Sequence, residues 1–228
     1  MRCAGTLTHL NLIVMGIYKK GINGPFLGKT GSVIGSRWKK INNIKGFSRL
    51  SDKAPTPGQL KQRAKFEMMA SLLAEIRAML DLGYNHEDTS KKDALHLAMS
   101  YHLKWAFREE NGVPVIDFSQ LILSKGSLPK TAGAGMRYSA EDGLMISWPT
   151  EVRNPFISAE DQLTILLYNE RERNWLIPVR SWKRRDGQAK LTVANGLLKG
   201  LIHCYIFFTS WNGHNSPSQY LGAVEVDY

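Results

Sequence analysis

From residue 115 onward the chain is a succession of short β-type runs, and this constrains the fold more than any other feature. The runs are 117–124, 143–148, 161–168, 174–180, 189–194, 201–210 and 219–227, with Gly-, Pro- and Asn-rich turns between them. Segments of this kind at short intervals, without a helical period, predict antiparallel strands folded into a β-sandwich.

The segment before them has a different period. Thr56-Pro57-Gly58-Gln59 offers an N-cap, a proline at the first helical position and a capping-box glutamine. Leu60, Ala64, Met68, Leu72, Ile76 and Leu80 follow at every fourth position, supplemented by Met69 and Leu73. This predicts one amphipathic helix over roughly 57–81, stopped near Gly83. Ser90-Lys91-Lys92-Asp93 reads as a second start, with Ala94, Ala98, Tyr101 and Trp105 on one face and an end near Gly112-Val113-Pro114. The short polar connection makes an antiparallel helix pair natural.

Upstream, residues 16–50 are rich in glycine. Val33-Ile34 and Ile41/Ile44/Phe47 read as two short strands, with Trp38-Lys39-Lys40 near the turn. Glycines 21, 24, 28, 31 and 35 would stripe a helix, but each costs a helix interior about 1 kcal/mol relative to alanine. Pro25 interrupts the stripe as well. Turns and close-packed strands are expected instead. Residues 1–14 read as a leader or loose arm, with Met15 as the natural start.

Gly28-Lys29-Thr30 has the look of a phosphate loop, whose amides must wrap a phosphate ahead of a helix. The spacing argues otherwise. Gly24 and Gly28 enclose three residues where that motif needs four, and Asn23 stands where its first glycine belongs. Gly31 and Gly35 follow where the helix would begin, and no β-α-β alternation surrounds the loop.

Charge is concentrated in the same region. The chain carries a net +10, and residues 15–66 hold twelve Lys/Arg against a single acid, Asp52. Such a concentration marks a face that meets an acidic partner or phosphates. The candidate partner- or anion-binding set is Lys29, Arg37, Lys39, Lys40, Lys45, Arg49, Lys61, Arg63 and Lys65. The last three sit in the first turns of the predicted helix, where cations oppose the helix dipole. Tyr18, Phe26, Trp38 and Phe47 lie among the bases.

Catalytic patterns are not found. Cys3 and Cys204 form no CxxC pair, and Cys204 lies in an apolar run. Cys204 and His203 are strand neighbours pointing to opposite faces, so they cannot act as a nucleophile–base pair. The histidines show no metal-binding spacing, and His96 and His102 cannot share a helix face. There is no G-x-S-x-G elbow. Two aromatic-bearing turns stand out, "WKRRDG" from Trp182 and "SWNGHNS" around Trp211. The first is a basic turn beside aromatics, which can bind nucleic acid or a glycan, or else a solvated hairpin with one tryptophan packed inward. The second exposes a tryptophan in a loop at one end of the sandwich, where ligand contacts are usual.

Residues 143–227 resemble a fibronectin type III or immunoglobulin-like module. "GLMISWP" resembles its second strand with the core tryptophan, Trp148, and "DQLTILLYN" the third. "GLIHCYIFF" resembles the tyrosine-bearing strand, with Tyr205 as the tyrosine. The span from Met15 is similar to a bacterial family catalogued as domain of unknown function 6266, through "MGIYKKGINGPFLGKTGSVIGSRWKKIN", "TPGQLKQRAKF" and "ILSKGSLP". That resemblance implies no activity. A fainter likeness of the hairpin and "TPGQLKQRAKF" to small phage-type structural proteins is analogy alone.

The expected architecture is α+β. A basic region, 15–112, holds a glycine-rich hairpin and an antiparallel helix pair, and an immunoglobulin/fibronectin-like β-sandwich occupies 115–228. The expected role is non-enzymatic: a structural or interaction protein, in a surface-assembly or phage-like setting, docking to a protein partner or neighbouring subunit. The alternative is a nucleic-acid-associated protein gripping the phosphate backbone through residues 19–65. No cofactor, metal or small-molecule substrate is expected. No run of eighteen apolar residues suits a membrane span, and the cytoplasm is the default compartment.

Overall fold

The computed structural model describes residues 15–17, 26–38, 41–47, 53–87, 92–139, 141–152, 154–179, 181–191 and 199–226. Lys39, Lys40, Arg49, Gly21, Gly24 and the 1–14 segment lie outside these. The chain divides into two units at Ala54/Pro55. The helices lie in the same unit as the strands that follow them.

The first unit is a four-stranded antiparallel sheet. Its strands are β1 (Met15–Ile17), β2 (Gly28–Thr30), β3 (Val33–Trp38) and β4 (Ile41–Gly46), in the order β1-β4-β3-β2. The two expected strands are β3 and β4, and β1 and β2 add the edges. Gly35 does what the glycine spacing suggested. A Cβ there would lie 2.3 Å from the carbonyl oxygen of Phe26, so only glycine lets the two backbones approach.

In the second unit, α1 (Pro57–Ala74) begins as predicted. Gln59 N–H donates to Thr56 Oγ1 at 3.3 Å, and Thr56 N–H donates back to Gln59 Oε1 at 3.0 Å. The predicted single helix breaks at Glu75-Ile76, and α2 (Arg77–Gly83) follows. The i+4 stripe also drifts. Each step of four rotates about 40° around a helix of 3.6 residues per turn, so Leu60 is exposed while Leu72, Ile76 and Leu80 are buried beside Met69 and Leu73.

Helix α3 (Ala94–Trp105) is capped by Asp93, which accepts from His96 N–H at 3.1 Å. It ends earlier than expected. Phe107–Glu110 (β5) and Val113–Ile116 (β6) form a hairpin over Asn111-Gly112, whose φ angles are 50° and 81°. Both turn residues with positive φ are what a tight two-residue hairpin demands.

Residues 117–124 are not the expected strand. Phe118–Gln120 make a 3-10 turn capped by Asp117, and side chains take the backbone amides that a ladder would have used. Ile122 N–H donates to His102 Nε2 at 2.9 Å, and Leu123 N–H donates to Ser218 Oγ at 2.8 Å.

The remaining strands are β7 (Gly135–Ser139), β8 (Gly143–Ser147), β9 (Gln162–Asn169), β10 (Asn174–Leu176), β11 (Trp182–Lys183), β12 (Gln188–Leu191), β13 (Gly200–Thr209) and β14 (Gln219–Val226). One sheet runs β10-β9-β13-β14 with β11 also on β9, and a second runs β12-β8-β7. All pairings are antiparallel.

Both faces of the central pair β9–β13 are covered. Leu163, Ile165, Leu167, Ile202, Cys204, Ile206 and Phe208 cluster with Leu144, Ile146 and Trp148 of the smaller sheet's side. Leu166, Tyr168, Tyr205 and Phe207 cluster instead with Leu72, Leu73, Ile76, Leu80 and Ala98 of the helices. The fold is thus a mixture of helices and antiparallel sheets. Among the described residues no helix is long and apolar enough to cross a membrane.

Candidate functional site

The strand register decides which cations of the first unit can act together. Ile34 of β3 pairs with Lys29 of β2 on one side and Lys45 of β4 on the other. Residues directly opposite on neighbouring strands share a face, so Lys29 and Lys45 flank Ile34. Ile17 and Phe47 have the same parity and are exposed beside them. The Lys29 ammonium sits 4.1 Å from the centre of the Phe47 ring, a cation–π contact. Arg37, three residues after Ile34 on an alternating strand, has the opposite parity and faces away from the two lysines.

The three bases of α1 lie in the second unit and serve different purposes. Lys61 Nζ pairs with Glu109 at 2.5 Å, and Lys65 Nζ lies 5.3 Å from the Phe107 ring. Their i,i+4 spacing puts both against the β5–β6 hairpin, while Arg63 projects from another face and is exposed. Within the first unit Lys29 and Lys45 share a face from which Arg37 is turned away, and within the second Lys61 and Lys65 share a face from which Arg63 is turned away.

A second feature lies at one end of the strands of the second unit. A cleft of about 500 Å³ is lined by Pro155, Phe156, Ile157, Ser158, Asp161, Trp211, Asn212 and His214, among others. Two of its aromatic rings stand in solvent: Trp211 is 88% exposed and Phe156 is 74% exposed.

The Trp211 turn is held from several sides. Ser210 N–H donates to His214 O at 2.8 Å, and Gly213 N–H donates to Ser210 O at 2.9 Å. Gly213 O accepts from Asn85 Nδ2 at 2.9 Å and meets His86 Nε2 at 2.8 Å. The His86 ring stacks on His214 with centroids 4.3 Å apart. Asn215 Nδ2 donates to Leu82 O at 2.6 Å, tying the same loop to the end of α2.

Beneath the cleft lies a buried ion pair. Arg184 Nε donates to Asp161 Oδ2 at 3.2 Å, and that oxygen also accepts from Ser158 N–H at 3.0 Å. Arg184 Nη1 donates to Thr131 Oγ1 at 2.9 Å, and its guanidinium lies 3.8 Å over the Phe208 ring. Asp161 Oδ1 and Arg184 Nη2 are buried without a hydrogen-bond partner.

Sequence reasoning placed Trp182 inward, and it is buried. It missed that Arg184 of "WKRRDG" is buried too, leaving Lys183 and Arg185 to pair with Glu160. No sequence pattern marks Asp161 as Arg184's partner, because they lie 23 residues apart.

Two buried groups belong to the frame. His102 is fully buried, and desolvation lowers its pKa from the ordinary 6.5 to about 4. It is therefore neutral, with Nε2 free to accept from Ile122 N–H. Cys204 and His203 face opposite ways as read from sequence. Cys204 lies in the core shared with the smaller sheet, and burial pushes its thiol up. The His203 ring stacks on Phe118 at 4.1 Å, and its Nδ1 lies 2.9 Å from the Tyr220 hydroxyl. Tyr205 donates its hydroxyl to Phe118 O at 2.7 Å, which ties β13 to the 3-10 turn. Among the described residues no group of three or more His, Cys, Asp or Glu is placed to hold a metal ion.

A family of unknown function, DUF6266, has a family profile that matches residues 23–222. The chain belongs to this family. The match runs from before β2 into β14, so the Lys29–Lys45 face and the Trp211 cleft both fall inside the family's extent. No curated protein and no solved structure matches the chain.

Proposed function

We propose that the chain is a non-enzymatic interaction protein that docks onto an acidic protein surface, a neighbouring subunit or another protein, through its basic N-terminal sheet. The observation that carries this reading is the face on which Lys29 and Lys45 bracket Ile34, with Phe47 and Ile17 exposed beside them. Apolar side chains exposed among cations suit a protein interface, whose apolar centre is rimmed by charge. A phosphate-backbone grip would gather its cations along one track, and Arg37 faces away from the two lysines. A surface-assembly or phage-like structural setting fits the same face.

We also propose the finer fold reading: the five-stranded and three-stranded sheets of the second unit form an immunoglobulin/fibronectin-like sandwich, supported by the single apolar cluster they share.

The test is charge reversal on the full chain. Partners recovered with the wild type are identified, purified and titrated against wild type, Lys29→Glu/Lys45→Glu and Phe47→Ala, with light scattering on each. Both variants should weaken the complex about tenfold, equivalent to ~1.4 kcal/mol. Unchanged affinity in both overturns the reading. Tight binding to mixed-sequence DNA or RNA at low salt that falls steeply with added salt replaces it with phosphate-backbone binding through residues 19–65.

A further inference from the structure

We propose that the cleft beneath Trp211 binds a neutral saccharide. The proposal is independent of the docking face, which lies in the other unit.

The rings come first. Trp211 and Phe156 are both largely solvent-exposed and line one cleft. Exposing two large aromatic rings forgoes the stabilisation their burial would give. The Trp211 turn is nonetheless fastened by Asn85, His86 and Asn215, on a turn closed by its own backbone bonds. A ring presented on a fixed support is preorganised to stack against a flat partner, and it loses little entropy on doing so.

The polar groups narrow the partner further. Asn212 Oδ1 is engaged by the Ser210 hydroxyl and by His214 N–H, which leaves its amide nitrogen to donate. Ser158 Oγ accepts from Glu160 N–H at 3.2 Å, which leaves its hydroxyl proton to donate. Among the described residues lining the cleft none is lysine or arginine, and the one charged residue is Asp161. Among these residues a phosphorylated or carboxylate ligand finds no counter-charge. Asp161 is paired with the buried Arg184, so the floor carries no net charge to call for an ion above it.

A ligand with an apolar ring face and many hydroxyls, and without net charge, answers all of these features. A volume of about 500 Å³ lies within the range of small-ligand sites and is compact for a peptide laid out in an extended groove.

The experiment is calorimetry and tryptophan fluorescence on the full chain, titrated with cellotetraose, chitotetraose, maltotetraose and a mannose oligomer to millimolar concentration. A proline-rich peptide is run as the competing class. Trp211→Ala, Phe156→Ala and Lys29→Glu/Lys45→Glu are measured in parallel, with thermal melts to verify folding. Binding of at least one oligosaccharide is expected. It should weaken at least tenfold in both ring variants and stay unchanged in the lysine variant. Absence of binding across the panel, affinity indifferent to both ring variants, or selective binding of the peptide would each overturn the proposal. Because both rings are exposed, their removal leaves the core intact and the measurement interpretable.

Discussion

The indole Nε1 of Trp175 donates to the carbonyl oxygen of Leu72 at 2.7 Å. In an uninterrupted helix that carbonyl would serve the amide of Ile76. Here a β10 side chain takes it where α1 ends, and Trp175 N–H donates to Glu75 Oε2 at 3.2 Å beside it. The strand thus caps the helix, satisfying end groups that otherwise need a cap of their own. Trp175→Phe keeps an aromatic ring, though a smaller one, and removes the bond. It should destabilise the second unit by about 1 kcal/mol, as a typical lost hydrogen bond does. Urea denaturation measures the loss, and amide exchange at residues 72–76 should show it locally. Unchanged protection there would mean that the break at Glu75-Ile76 does not depend on this cap.

The Asp161–Arg184 pair predicts strong asymmetry between single and double substitution. Either Asp161→Leu or Arg184→Met alone leaves a buried charge without its partner, at a cost of about 3–5 kcal/mol. Asp161→Leu with Arg184→Met removes both charges and should cost clearly less than the sum of the singles. A double-mutant cycle by chemical denaturation decides this, and simple additivity would show the two residues to be uncoupled.

Stability should fall in mild acid because of His102. Its folded pKa is about 4 against 6.5 ordinarily. Between those values the unfolded chain binds a proton that the folded chain refuses, so unfolding becomes easier as pH falls through this window and levels off below it. The full effect is bounded by about 3 kcal/mol, at ~1.4 kcal/mol per pH unit. His102→Gln should flatten the profile between pH 6.5 and 4 relative to the wild type. A wild-type profile that is already flat would refute the role.

Gly35→Ala should disrupt the first unit while sparing the second. The added methyl meets the Phe26 carbonyl at 2.3 Å, and a backbone atom cannot swing aside as a side-chain tip can. Amide exchange across β2, β3 and β4, followed by NMR, should quicken on substitution. A variant with wild-type spectra and melting would show that Phe26 can move away.

The signals legible in the sequence were the local ones. Thr56 and Gln59 lie three residues apart, and the capping box formed as read. Residues 143–148, 161–168 and 201–210 declared their strands through apolar runs, as β8, β9 and β13 bear out. Trp211 declared its exposure through the polar residues around it. The Asn111-Gly112 hairpin was equally local, since that dipeptide favours the positive φ such turns need, but the helical period before it masked the change.

What tertiary structure alone decided depended on partners distant in the chain. The last turn of α1 meets Trp175, and the amides of Ile122 and Leu123 go to His102 and Ser218 instead of to a strand. The unbroken apolar run of β13 is explained by its burial on both faces, by helices and by a second sheet. The division at Ala54/Pro55 has the same origin, because an apolar helix face joins whichever surface can cover it. The candidate sites follow this rule. A run of bases was visible at once, but strand register set Lys29 beside Lys45 and turned Arg37 away. Propensity and capping act over a few residues and can be read in order. Burial and register depend on which surfaces meet, and those meetings exist only in the folded chain.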